Sequence, residues 1–310
     1  MTVRARVEED ADRLVARHGE RVLFEYVFRE ALPRDLAPRP YFHPVRTLAG
    51  VVLTDHRPAD HRWHLGLAHS WPVVGRWNLW GGPTYVRDRG YVALDNHGET
   101  RHRRWSDGVE ELEWVDGEDV PIAAERRTIG EPEVDEAAGA WSLDLDSEIE
   151  NRGPGPLRLG SPTTEGRPLA GYAGLAWRGP ESLRRAGVVL DDGLFDQDAA
   201  MGRRSRWLAC AGAGVTVAFV EHPANRGVPN RWFVRTAEYP LVASSPVFDQ
   251  ALELAPGERL RLRHRVLFAD GVWDAERLGL AASGWAGRVD AGAGSAAETG
   301  PRAGAGAGSP

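Results

Sequence analysis

Three stretches of the chain gather the side chains that do chemistry. The first runs from Arg39-Pro-Tyr-Phe-His43-Pro-Val-Arg46 through Asp60-His61-Arg-Trp63-His64 to Trp77-Asn78-Leu-Trp80-Gly-Gly-Pro-Thr-Tyr85, and six of the ten histidines lie between residues 43 and 97. His61 and His64 are three residues apart. A helix or tight turn would put both imidazoles on one side, as a metal pair needs, whereas a strand would send them to opposite faces. With His222 or Glu165 as a further ligand they would hold a divalent metal; otherwise they are hydrogen-bonding partners for a ligand or for backbone carbonyls.

The second stretch, Gly160-Ser-Pro-Thr-Thr-Glu165-Gly-Arg167-Pro, leads into Gly171-Tyr172-Ala-Gly-Leu-Ala-Trp-Arg178. Glu165 is the carboxylate placed to act as a general base, with Arg167 beside it to keep it ionised or to grip a substrate oxygen. The alternative is a surface ion pair. The third stretch is Glu221-His222-Pro-Ala-Asn225-Arg226-Gly, with Trp232 and Tyr239 behind it. Here His222 would supply the matching acid, as would His64, or else bond a loop carbonyl.

Around these groups Asp60, His61, Arg167, Asn225 and Arg226 would orient a ligand. The planar forks of Arg46, Arg178 and Arg226 suit a carboxylate, a keto oxygen or sugar hydroxyls. Trp77 and Trp80 on either side of Asn78, with Tyr85, would form a stacking floor; His43, Tyr172 and Trp232 complete the candidate set. Rings mixed with hydroxyl, carboxylate and guanidinium groups fit a polyol, which offers C–H faces for stacking and hydroxyls for hydrogen bonds.

Composition removes several other chemistries. All 38 basic residues are arginine, so Schiff-base lysines and the P-loop lysine are absent. A net charge of −7 and a pI near 5.8 argue against nucleic-acid or anionic-lipid partners. The single cysteine, Cys210, sits in an apolar run and reads as a small core residue. Gly81-Gly82 lies in no GxGxxG or Walker pattern, and Ser161 lies in no GxSxG elbow.

The elements that must position these residues read as strands. The 36 glycines and 21 prolines mark frequent turns. Residues 12–28 form two strands about the His18-Gly19 turn, with a helix over 9–18 as the competing reading. Further strands are expected at 50–54, 91–94, 108–115, 140–150, 156–160, 206–211, 214–221, 231–234 and 259–268. In Trp141-Ser-Leu-Asp-Leu-Asp-Ser-Glu-Ile-Glu150 one face is apolar and the other acidic; Leu260-Arg-Leu-Arg-His-Arg-Val266 repeats this with arginines outward. The pattern predicts an all-β fold, a large antiparallel β-sandwich with few short helices, as one domain over residues 1–285. Only 274–282 reads as a late helix, and the Ala/Gly-rich segment 286–310 is expected to be a disordered tail. No apolar run of 18 residues occurs, and the first thirty residues lack a signal peptide's apolar segment, so a cytoplasmic location is expected.

The boxes RPYFHPVRTLAG, DHRWHLGL, WGGPTY, EGRP with GYAGLAWR, and HPANR with WF, in this order over residues 20–272, resemble the PmoA-family domain. That resemblance implies a β-rich fold similar to the sugar-binding supersandwich of mutarotase-like proteins and an association with carbohydrate catabolism. The methane-oxygenase label of that family belongs to a multi-span membrane protein and lends no support to methane oxidation here. Where relatives tend to show paired histidines this chain has Trp63-His64, which weakens a strict metal-ligand reading. The expected activity is acid–base chemistry, by hydrolysis, elimination or epimerisation, on a sugar or oxidised sugar derivative. A non-catalytic carbohydrate-binding module and a metal-dependent oxidoreductase using His61, His64 and His222 are the alternatives.

Overall fold

Hydrophobic residues that alternate along strands need a second layer to bury them. The computed structural model, which describes residues 2–295, supplies it as two large antiparallel sheets packed face to face. The first sheet runs, in spatial order, Glu99–Ser106, Val109–Val115, Pro121–Ile129, Ala140–Asn151, Arg259–Asp270, Val215–Glu221, Trp207–Gly212, Gly187–Leu190 and Gly193–Phe195. The second runs Arg6–Glu9, Arg13–His18, Arg21–Val27, Tyr41–Val45, Leu67–Val74, Gly174–Arg178, Leu241–Ser245 and Arg231–Arg235. The expected all-β antiparallel sandwich is therefore what the chain forms.

Between the sheets lies a core rich in rings, among them Phe24, Trp141, Trp177, Phe219, Trp232 and Phe268, all but closed to solvent. Cys210 belongs to it, and burial pushes its thiol up to about 12. Two buried polar latches cross the same space. From the second sheet, Tyr26 Oη donates to Glu110 Oε2 at 2.5 Å and accepts from Arg127 Nη1 at 2.7 Å. Arg127 in turn grips Glu125, which also accepts from Trp114 and Ser147. Farther along, Ser244 Oγ donates to Glu221 Oε1 at 2.6 Å and lies 3.0 Å from His264 Nε2. Leaving one partner of such a buried set unmatched costs about 3–5 kcal/mol for charged groups, so the latches penalise any slipped stacking of the sheets.

The outer face of the first sheet is finished in two ways. Acidic side chains on Ala140–Asn151 face arginines on Arg259–Asp270: Arg265 pairs with Asp144, Arg261 with Asp146, and Arg259 with Glu148 and Glu150. This is the outward half of the alternation visible in the sequence. The rest is covered by a helix, Ala275–Ser295, whose first turn is capped by Asp274 Oδ1 accepting from Arg277 N at 2.9 Å. Trp273, Leu278, Ala282 and Trp285 pack there on Trp207, Ala209, Ala218 and Ala269. The helix runs past the expected residue 282, so residues 286–295 of the expected tail continue it, and 296–310 lie outside the described residues. No described helix is long and apolar enough to cross a membrane.

Strands were expected at 50–54 and at about nine other places; the described residues form 24. Residues 50–54 form only a single bridge, Arg46 to Val52. Two of the unforeseen strands were hidden by burial on both faces. Leu67–Val74 is buried along its whole length and Gly174–Arg178 likewise, so neither alternates. Pro121–Ile129 carries the latch residues Glu125 and Arg127 inward, which disguises its core face as polar.

Five histidines, His43, His56, His64, His69 and His264, are held below the ordinary imidazole range, chiefly by burial; His43 falls to about 4 and His264 to about 3. The unfolded chain binds protons on them as pH drops through ~6.5, while the folded chain does not. Stability is therefore full above that value and declines below it, before the carboxylates titrate. Thermal midpoints measured across pH 7 to 5 should fall steadily, with an uptake on unfolding near pH 5.5 of at least about two protons per molecule. A flat profile down to pH 5 would show that these rings ionise freely in the folded state.

Candidate functional site

The outer face of the second sheet is hollow at its centre. Ala68, Ala176, Ala243 and Phe233 stand in one register row across its central strands, and Arg178, Leu241 and Arg235 in the next. Alanines on an outward face leave a depression, and loops rising from the strand ends wall it into a cavity of about 340 Å³. That volume lies at the lower end of the ~300–1,000 Å³ typical of small-molecule sites.

The loop after Thr54 places the histidines. Asp55 N donates to the Arg178 carbonyl and Arg178 N to that of Gly66, tying the loop to the strand. Within it Arg57 N bonds the His64 carbonyl, His61 N that of Pro58, and His64 N that of His61. The three-residue spacing is thus wound into tight turns, and both rings fall on one side. They lie parallel, centroids 4.7 Å apart and planes within 13°.

Below them sits an ion pair. The buried Arg178 spreads its fork over both oxygens of Asp60, with Nη2 at 3.2 Å from each, and its Nη1 lies 3.2 Å from His64 Nδ1. Asp60 Oδ2 is 2.8 Å from His61 Nδ1. Burial would raise the Asp60 carboxyl, but the hydrogen bond from His61 and the Arg178 charge outweigh it and hold the group below its usual range. The tautomers follow. An ionised carboxylate only accepts, so His61 Nδ1 carries a proton, and in the neutral ring it is Nε2 that holds the basic lone pair. A guanidinium only donates, so His64 Nδ1 is bare and Nε2 carries the proton. Burial, then the charges of His61, Arg178 and Arg39, hold His64 far below the ordinary imidazole range and keep it neutral. Because both Nδ1 atoms face the ion pair, both Nε2 atoms face away from it.

Aromatic rings enclose this pair. Trp63 meets His61 edge-on at 5.2 Å, and Trp80 meets His64 at 5.9 Å and Tyr172 at 4.6 Å. Tyr239 lies 4.6 Å from His61 and carries the Arg178 guanidinium 4.4 Å from its ring centroid. Burial pushes both phenols, Tyr172 and Tyr239, up, so they are neutral donors. At the rim Arg167 donates to Tyr91 Oη, which is 2.8 Å from Tyr172 Oη.

Residues 13–283 match the family described as "Family of unknown function (DUF6807)". The chain belongs to that family. No curated protein matches it. Among solved structures it is similar to the galactosidase domain of an alpha-galactosidase-sucrose kinase, AgaSK, with 10% identity and a TM-score of 0.35, covering 86% of this chain and 40% of that one. It is also similar to the alpha-galactosidase from Lactobacillus brevis, with 8% identity, a TM-score of 0.35 and the same coverages. A polysaccharide lyase gives 11% identity and a TM-score of 0.32 over 86% of this chain and 32% of that one. The chain therefore spans two-fifths or less of the length of each.

Of the residues expected to form one site, His61, His64, Trp80, Arg167 and Tyr172 line this cavity, and Asp60 and Arg178 support it from beneath. The third stretch is elsewhere. His222 N bonds the Arg263 carbonyl on the first sheet and its ring meets Trp285 edge-on, so the sandwich separates it from His61 and His64. Asn225 staples the Arg263 backbone, Arg226 pairs with Glu258, and Trp232 is buried between the sheets. Glu165 is bound to Arg158 at 2.6 Å outside the lining, the surface ion pair its sequence context also allowed. His222 therefore does not join His61 and His64, and among the described residues no three His, Cys, Asp or Glu side chains are grouped to hold a metal ion.

Several others serve the frame. His43 bonds Thr54 and stacks on His56, and Arg46 reaches Gly50. Trp77 lies under Arg76 and against Gly117, while Tyr85 packs edge-on to Tyr91. Asn78 shapes the site without touching it: Oδ1 accepts from Trp80 N and Gly81 N, and Nδ2 donates to Gly82 O and Thr84 Oγ1. Tyr91, Phe233, Arg235 and Leu241 are lining residues that the spacing arguments missed. For Phe233 the signal was present: Trp232-Phe233-Val234 is apolar on both strand faces, which requires a covering on each.

The Gly81-Gly82 turn lies on the Trp63 ring, and a Cβ at Gly82 (φ +67°) would come within 2.4–2.7 Å of that ring. Gly90 has a similar φ of +75° with nothing near it. Gly82→Ala should therefore lower unfolding free energy more than Gly90→Ala does, by about 1–3 kcal/mol of overpacking, as read from denaturant midpoints. Equal losses would show that backbone strain alone fixes the glycine and that Trp63 yields freely.

Proposed function

We propose that this protein binds a sugar, or an oxidised sugar derivative, in the cavity and moves a proton on it. The observation that carries the reading is the stacked His61–His64 pair, whose tautomers are set oppositely by one ion pair. On a bound ligand, His61 Nε2 accepts a proton from a carbon next to a carbonyl. The C–H electron pair moves into the carbonyl, and the resulting oxyanion is met by the His64 Nε2–H donor. Asp60 stabilises the imidazolium that forms on His61, as a carboxylate partner does for a histidine base.

His64 acts here through a hydrogen bond and keeps its proton, since a neutral imidazole that gave it up would become an anion. The proton on His61 returns to the former carbonyl carbon, while the hydroxyl proton on the first carbon passes to the oxyanion, giving isomerisation; or it returns to the same carbon once the enol has turned, giving epimerisation; or it goes to a departing oxygen as the enolate electron pair expels it, giving elimination. Glycoside hydrolysis is less well supported. It commonly uses two facing carboxylic groups, and the lining residues include none, the nearest carboxylate, Asp60, being engaged by Arg178 and His61. The ring walls at Trp63, Trp80 and Tyr172 supply the apolar faces a sugar stacks on.

The test is solvent deuterium incorporation into candidate aldoses, ketoses and sugar acids, followed by NMR. His61→Gln should slow exchange by about 10²–10⁴-fold while leaving the ligand-induced rise in melting temperature intact. Exchange at the wild-type rate in that variant would overturn the assignment of His61 as the base.

A further inference from the structure

The charges around the cavity do not balance. Arg178 is matched by Asp60. Among the described residues Arg235 pairs only with Glu238, at 3.4 Å on the surface, a pair of the kind worth about 0–1 kcal/mol. Arg167 has no carboxylate partner among the described residues; its guanidinium bonds the Tyr91 hydroxyl and lies 4.8 Å from that ring's centroid. Both arginines line the cavity, and the lining carries no carboxylate. A guanidinium needs acceptors in its plane, and the Tyr91 hydroxyl uses one of the five N–H groups that Arg167 offers.

We propose that the ligand is a sugar acid, its carboxylate held at the rim by Arg167, with Arg235 contributing charge from the strand beside it. The inference rests on the proposed sugar-binding reading and narrows it to one substrate class. A planar fork matches a carboxylate with two parallel hydrogen bonds. Tyr91 fixes the orientation of that fork, and the Tyr91–Tyr172 hydroxyl contact links it to the ring wall. The anchor would hold the acid end at the rim while the hydroxyl-bearing carbons reach the two imidazoles. Arg167 would thus set specificity without taking part in the proton transfer.

The experiment compares each hexuronate with its parent hexose, D-glucuronate with D-glucose and D-galacturonate with D-galactose, by calorimetric titration of the full chain. Wild type should bind at least one uronate about tenfold or more tighter than the matching hexose, as a charge-assisted hydrogen-bonded contact predicts. The preference should shrink as salt is raised. Arg167→Met should lose that preference, its uronate and hexose affinities becoming equal within about twofold, and Arg235→Met should reduce it partly. Hexose binding with no preference for the acid in wild type, or a preference that survives in both variants, would overturn the carboxylate anchor and leave the sugar reading standing. Failure of wild type to bind any of the four would overturn both. The wild-type comparison decides the matter even where a variant does not fold.

Discussion

A guanidinium shut into the floor of a cavity must be neutralised where it stands, and the arrangement of this site follows from how that is done at Arg178. Its carboxylate partner is brought in by the loop that rises from the neighbouring strand. Because Asp60 also accepts from His61, and because Arg178 has a donor left over for His64, one ion pair determines which nitrogen of each imidazole carries a proton. A lysine at this position would neutralise Asp60 as a point charge, but it has no planar fork to reach Asp60 and His64 together. The oppositely poised rings are therefore a property of the arginine's shape as much as of its charge.

The sandwich divides its labour between its two outer faces. The first sheet carries charge stripes over its central strands and the Ala275–Ser295 helix beside them. The second keeps alanines in the middle of its outer face and invites loops over them. Arg39 holds those loops together from behind. Buried, and with no carboxylate partner among the described residues, it donates to the carbonyls of Leu36, Ala37, Trp80 and Trp63. Burial lowers its guanidinium to about 9, which still leaves it charged at neutral pH. Two cavity-wall residues separated by 17 positions are thus fixed by a single side chain outside the cavity.

Two half-exposed strands were legible from their alternation, and two fully buried strands at the floor of the site were not. Ala140–Asn151 and Arg259–Asp270 show the two-residue period because one face meets the core and the other meets water. Leu67–Val74 and Gly174–Arg178, which form the floor of the site, show no period because both their faces are covered. The candidate site was readable where loop chemistry is local. Asp60, His61 and His64 sit within five residues, and the turn that joins them is what the spacing allowed. It was unreadable where position depends on which side of a sheet a strand end emerges. His222 and Arg226 have the same kinds of side chain as His64 and Arg167, but their strand belongs to the other sheet and delivers them to the far side of the molecule. Glu165 failed for a different reason: Arg158, eight positions upstream of Gly166, reaches it first.

The imidazole pair also limits what reaction the site can run. His61 and His64 stack at 4.7 Å with Arg178 beneath them, so a second positive imidazole would face two like charges at short range in a poorly solvated space. In the proposed reaction only one ring would carry the transferred proton, and the carboxylate contact selects His61. A single base that both takes and returns the proton works from one face of the ligand. That suits chemistry in which the proton is moved between adjacent atoms on the same side, through an enol held by a neutral donor. Inverting a centre by removing a proton from one face and adding it on the other would need a second base across the cavity. The phenols of Tyr172 and Tyr239 in the lining hold their protons too firmly, through burial, to serve as that base. An epimerisation here would therefore have to let the enol turn within the site before the same histidine reprotonates it, whereas a shift between neighbouring carbons or a same-side elimination needs no such turn.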